Sequence, residues 1–171
     1  ITDAPRATLN PANLLVVQQR SSNSYLLGLR YLTERDTTIV GEYFRNGSGY
    51  SAQEASQYFD LVHASTTNPA LVLPATRAAA QGYNRPNAMR SYAYLRVSQK
   101  EPFDVLDFTP SVTLIANTAD RSFSLIPEAL YTGFKNLELR LRLALNRGQR
   151  SSDYGEKAVQ SKLELRARYF F

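Results

Sequence analysis

The stretch SKLELRARYFF, residues 161–171, decides the fold. Counting back from Phe171, every second residue is apolar: Phe171, Tyr169, Ala167, Leu165 and Leu163. Apart from Phe170, the residues between them are charged: Arg168, Arg166, Glu164 and Lys162. An extended chain points successive side chains to opposite sides, so this period of two reads as a β-strand with one apolar and one polar face. The contrast between the faces is unusually sharp. The three aromatics Tyr169, Phe170 and Phe171 also stand where a terminus is ordinarily polar and frayed.

The same rhythm continues upstream. Leu137, Leu139, Leu141, Leu143 and Leu145 alternate with Glu138, Arg140 and Arg142. Before them come Phe123, Leu125, Pro127, Ala129 and Tyr131, and before those Leu106, Phe108, Pro110, Val112, Leu114 and Ala116, with Asp107, Thr109, Ser111, Thr113 and Asn117 on the polar side. Met89, Ser91, Ala93, Leu95 and Val97 oppose Arg90, Tyr92, Tyr94 and Arg96. Ile39, Gly41 and Tyr43 oppose Val40 and Glu42; Tyr25, Leu27, Leu29 and Tyr31 oppose Gly28 and Arg30. Residues 14–20 (LLVVQQR) form the least regular candidate, an eighth strand. Residues 1–13, with Pro5, Asn10, Pro11 and Asn13, read as an irregular lead-in.

Residues 45–88 break the rhythm. Ser51 and Glu54 make a capping box that opens a short helix, with Ala55, Tyr58, Phe59 and Val62 as its apolar stripe and residues 66–69 (TTNP) as its stop. Residues 75–81 suggest a second helical turn before Gly82, Pro86 and Asn87. A connection this long inside one domain is ordinarily functional. Residues 146–160 form a second long polar loop.

Registers follow from aligning the apolar faces. A first hairpin centred on Arg35 sets Leu29 across from Gly41 and Leu27 across from Tyr43, with Arg30 diagonal to Glu42. Val97 across from Leu106 sets Arg96 opposite Asp107, and Tyr131 across from Leu137 sets Glu128 opposite Arg140. A turn centred between Thr118 and Ala119 sets Pro110 opposite Pro127, a weak spot because proline removes a ladder hydrogen bond. Several registers of the last two strands bring Glu138 and Glu164 near Arg140, Arg142, Arg166 or Arg168. Each such cross-strand pair contributes only about 0.2–1 kcal/mol, but the apolar alignment did not require any of them.

The chain has 171 residues, one domain's worth. No apolar run reaches the ~18 residues of a transmembrane helix. Mean hydropathy is −0.35, a value that membrane strands also give, because alternation hides their apolar face. There is no cysteine, which excludes disulfides and cysteine metal sites, and no tryptophan. The net charge of +5 is spread along the chain rather than clustered, so nucleic acid is not an expected partner.

With its apolar positions Leu163, Leu165, Ala167, Tyr169 and Phe171, the final stretch resembles the C-terminal strand of bacterial outer-membrane β-barrels. The resemblance implies an all-β fold, an antiparallel up-and-down transmembrane barrel with about eight strands in this chain. It implies outer-membrane localisation, surrounding lipid as a partner, and recognition of those five residues by the barrel-insertion machinery. It also allows for a homo-oligomer or another outer-membrane protein as neighbour. Short turns fall at one end, with Tyr31, Phe103, Tyr131, Phe134, Tyr169 and Phe171 gathered there as an interfacial aromatic belt; both long loops fall at the other end.

Two functions follow as expectations. In the first, the chain is the C-terminal part of a larger porin-like channel for small anionic solutes. Arg30, Glu42, Arg96, Asp107, Glu128, Glu138, Arg140, Arg142, Glu164, Arg166 and Arg168 then face the lumen, and residues 45–88 fold inward. In the second, eight strands close alone around packed side chains, and the protein is an anchor or interaction platform acting through residues 45–88. A soluble barrel would carry the same alternation with its faces inverted. No enzyme activity, metal or cofactor is expected. His63, the only histidine, lies three residues after Asp60 and near Ser51 and Ser65, but a lone loop histidine is ordinarily structural.

Overall fold

Nine strands and two helices make up the computed structural model, which describes residues 2–9, 15–83 and 87–171. Asn10, Pro11, Asn13, Leu14 and Pro86 lie outside the described residues. The alternating segments form seven strands: β3 (Tyr25–Leu32), β4 (Thr37–Arg45), β5 (Ser91–Gln99), β6 (Phe108–Asn117), β7 (Phe123–Phe134), β8 (Leu137–Arg147) and β9 (Ser161–Tyr169). They build one antiparallel up-and-down sheet in sequence order, with β3 and β9 as its two edges. The expected eighth strand is placed differently. β2 (Leu15–Ser22) pairs with β1 (Thr2–Leu9) in a separate hairpin alongside the helices, so part of the expected irregular lead-in is extended.

The first hairpin has the expected register, Leu29 with Gly41 and Leu27 with Tyr43. Three others shift, each by an even number of residues. Val97 pairs with Val112 rather than Leu106, because residues 100–107 form a longer turn through Glu101, Phe103, Asp104 and Asp107, all at left-handed φ. Asp107 therefore belongs to that turn and not to the polar face of β6, and Arg96 stands opposite Thr113. Pro110 faces Ala129 and Pro127 faces Val112, so the prolines are diagonal rather than opposed. Two side-chain turns lengthen that connection: Asn117 Oδ1 accepts from the Ala119 N–H (2.9 Å), and Asp120 Oδ1 accepts from the Ser122 N–H (2.9 Å). Tyr131 pairs with Leu139 rather than Leu137, because β7 continues through a bulge to Phe134 before a two-residue turn. Glu128 consequently stands opposite Arg142, with Arg140 diagonal to it.

Even shifts leave every side chain on its face, since the period is two. One face therefore runs unbroken across the sheet, through the row Leu29, Gly41, Leu95, Leu114, Leu125 and Leu145 and through Ala129, Leu141 and Leu165. Among the described residues it is left largely open: Leu29 is 75% exposed and Leu165 74%. Tyr31, Phe103, Phe134, Tyr169 and Phe171 are exposed at the short-turn end, and Tyr131 stacks edge-on against Phe134 there.

The compact core lies on the opposite side. α1 (Ala52–Ser65) begins at the expected capping box, with the Ser51 hydroxyl accepting from the Glu54 N–H and the Glu54 carboxylate accepting from the Ser51 N–H. α2 (Val72–Ala78) follows a 3₁₀ turn and runs into a π turn ending at Tyr83. Buried Tyr50, Ala55, Leu61, Ala78, Tyr83 and Met89 pack with Tyr92, Phe44 and Ile115, which come from the polar face of the sheet. Met89, expected on the apolar face of β5, instead bridges to Tyr50 inside this core. A Cβ on Gly49 would run into the Met89 carbonyl, so only glycine permits that approach. No described helix is long and apolar enough to cross a membrane.

Leu61, 2% exposed, anchors the helical cover although it lies outside the stripe read from the sequence. Leu61→Ala is expected to destabilise the cover by about 2–5 kcal/mol. Hydrogen exchange should then accelerate across α1 while β6–β8 stay protected; equal acceleration in both would contradict a separate helical core.

Candidate functional site

Strand alternation brings the charged side chains to the same face that the helices cover at its loop end. In one row, Ser111, Glu128, Arg142 and Glu164 stand side by side across β6–β9. The neighbouring row holds Arg30, Val40, Arg96, Thr113 and Ile126 across β3–β7. Glu42 lies one step along from Arg30, opposite Gly28. Glu138 faces Arg168, and Arg140 faces Arg166. Apart from Asp107, the expected charged residues thus share one face, together with Lys162.

Glu128 is the hub. Its carboxylate lies 3.7 Å from Arg96 and 4.0 Å from Arg140, bridging three strands, while Arg140 also reaches Glu138 at 3.3 Å. Glu164 is held by Lys162 and Arg166, each at 3.1 Å. The carboxylates sit low and the guanidinium groups reach over them: the side chain of Glu128 is 15% exposed against 43% for Arg96. The half-exposed pairs of Glu128 and Glu138 add little stability, on the order of 0–1 kcal/mol each. Their effect is on the potential: cations outnumber carboxylates on this face and present the outer layer. Between the rows lies a concavity of about 240 Å³ lined by Tyr94, Arg96, Thr113, Ile115, Ile126, Glu128, Arg140 and Arg142.

The loop at residues 146–160 closes against the helices, which sequence reading missed. His63 Nε2 lies 3.1 Å from Glu156 Oε2, and the Ser151 hydroxyl donates to Asp60 Oδ1 at 2.7 Å. The Tyr92 hydroxyl donates to Asp153 Oδ2 (2.8 Å) and accepts the Met89 N–H (3.1 Å). The Asp153 N–H donates to Asp120 Oδ2 (2.7 Å) and the Tyr154 N–H to the Ser122 hydroxyl (3.1 Å), joining three connections at one end of the sheet. Tyr83 stacks between Tyr50, with ring centroids 3.9 Å apart, and Tyr58, at 4.5 Å. Apart from the bond between Met89 and Tyr92, none of these contacts follows a short sequence spacing.

The His63 ring faces Glu156, while Asp60 accepts from Ser56 and Ser151. Among the described residues there is no group of three or more metal-ligating side chains. The terminal residues are placed as one face of β9, with Leu163, Leu165, Ala167 and Tyr169 on it, while Phe171 lies beyond the strand and packs edge-on against Tyr169. No protein-family model, curated protein or solved structure matches the chain.

Burial pushes the Tyr154 phenol above its ordinary range, and the carboxylates of Asp153 and Asp120 add to the effect. A raised pKa in the folded state means that the docked loop is fully stabilised below the unfolded value of about 10 and loses stability as pH rises above it. Tyr154→Phe is therefore expected to remove part of this alkaline loosening, followed by proteolytic nicking of residues 146–160. An unchanged pH dependence would place the loss elsewhere.

Proposed function

We propose that this chain forms the wall of an outer-membrane β-barrel and is a channel component for small anionic solutes. One observation carries the reading. Among the described residues, the leucine-rich face carries exposed side chains on six of the seven strands, β4 being half-buried, whereas the charged face receives the helical cover. A soluble sandwich or ligand-binding barrel buries the apolar face and wets the charged one. The reverse arrangement suits lipid outside and water inside.

Strand lengths of 8–12 residues agree with that reading, since a tilted membrane strand needs ~9–11. So does the exposed aromatic group at the short-turn end. The five alternating residues of β9 and beyond, Leu163 to Phe171, would serve as the signal read by the insertion machinery. Anion preference rests on Arg96, Arg140, Arg142 and Arg166 reaching over the carboxylates beneath them. The helical segment 45–88, lying over the loop end of the charged face, would narrow the entrance. An alternative, in which the chain is an anchor or interaction platform, draws on the same helical segment and its network with residues 146–160.

Two measurements test this. The protein should require detergent and show heat-dependent mobility on gels; free solubility without detergent would overturn the membrane assignment. In planar bilayers it should pass anions in preference to cations. Arg96→Ala combined with Arg140→Ala should then shift the reversal potential towards cation passage. An unchanged potential would favour the anchor reading.

A further inference from the structure

Successive strands from β3 to β9 are all antiparallel, so the seven alternate in direction and the two edge strands run the same way. From this parity we infer that the sheet is completed by an odd number of further antiparallel strands, inserted between β9 and β3 and carried by polypeptide outside residues 1–171. The inference rests on the reading of the sheet as a membrane wall, because in lipid every edge N–H and C=O must find a partner.

The other ways of covering the edges fail on geometry and charge. Direct closure of β9 on β3 makes a parallel seam, in a ring smaller than the eight-stranded barrel whose interior side chains already fill. A second copy gives the same seam, since copies inserted by one route share one orientation and β9 again meets β3 running parallel. The β1–β2 hairpin adds two strands and leaves the parity unchanged. β2 alone would restore it, and only Asn23 and Ser24 separate β2 from β3. A two-residue turn there would set Arg20 and Gln18 level with Leu27 and Leu29 on the lipid side; a one-residue slip would set Gln19 and Ser21 there instead. Neither suits hydrocarbon.

Charge states what the missing neighbour carries. Beside β9, the carboxylate of Glu164 is already held by Lys162 and Arg166, and that of Glu138 by Arg140. Arg140 and Arg166 stand directly opposite each other, and Arg168 follows on the same face. β3 offers that face Leu26, Gly28, Arg30 and Leu32, with no carboxylate among them. The strand that borders β9 therefore presents an acidic inner face level with Arg166 and Arg168, and an apolar outer face level with Leu163 and Leu165.

The chain has no cysteine, so introduced thiols report cleanly. In protein purified from its own membrane, Leu165→Cys is combined in turn with Leu27→Cys, Leu29→Cys and Tyr31→Cys, then oxidised; strand neighbours lie within the ~4.4–6.8 Å that a disulfide spans. The expected result is no disulfide in any pair. A photo-crosslinker on Leu165→Cys should instead capture a peptide outside residues 1–171, with acidic and apolar residues alternating. An intrachain disulfide, an interchain disulfide, or capture of residues 15–22 would each overturn the inference. Heat-dependent mobility is read on the same samples. Its presence alongside such a result would leave the membrane reading standing, and its absence would remove that reading itself.

Discussion

The backbone ladder of β3–β9 imposes one constraint on everything else: each strand must present its apolar residues to the same side as its neighbours. Seven strands satisfy it, and the result is a sheet whose faces differ in kind rather than in degree. One face is a field of leucine, valine and tyrosine, much of it exposed among the described residues. The other carries arginine and glutamate at the middle of the strands and buried aromatics near the loop end. The burial of apolar surface that ordinarily drives folding, about 25 cal/mol per Å², is thus concentrated, among the described residues, around the helices. In the proposed membrane setting, a lipid bilayer would cover the rest of the apolar surface without demanding shape complementarity.

The helical segment and the long loops depend on the same arrangement. α1 and α2 bury Leu61, Ala78, Tyr50 and Tyr83 against Phe44, Tyr92 and Ile115, which face inward because their strands are in phase with Arg96 and Glu128. Tyr92 then links the core to the β8–β9 loop through Asp153, and His63 and Asp60 link α1 to Glu156 and Ser151. The loop end is consequently tied together by side chains from three connections, whereas the short-turn end is held mainly by backbone turns.

Strand existence and side-chain facing were legible in the sequence because a period of two is visible residue by residue. Register was legible only where the turn was tight, as at Arg35. It slipped at residues 100–107, where four residues adopt left-handed φ, at Asn117 and Asp120, whose side chains build their own turns, and at the β7 bulge before Phe134. All three slips were even, so Glu128 still met Arg140 as an ion pair although it stands opposite Arg142. Asp107 was the one charge misplaced, because it fell in a turn rather than on a strand. The capping box located α1, but Leu61 and the contacts of residues 146–160 are products of tertiary packing and leave no periodic trace. β2, with two glutamines and an arginine after its apolar run, was the weakest candidate in sequence and is the one that stands outside the main sheet.

In the proposed membrane wall, the leucine face meets hydrocarbon and the arginine face meets water. Single nitroxide labels placed in turn at residues 138–143 of β8, in protein reconstituted into lipid bilayers, test it most directly. Labels at Leu139, Leu141 and Leu143 should be relaxed by oxygen dissolved in the bilayer, and labels at Glu138, Arg140 and Arg142 by a water-soluble paramagnetic chelate. The opposite phase, or equal access of both reagents at every position, would contradict the claim.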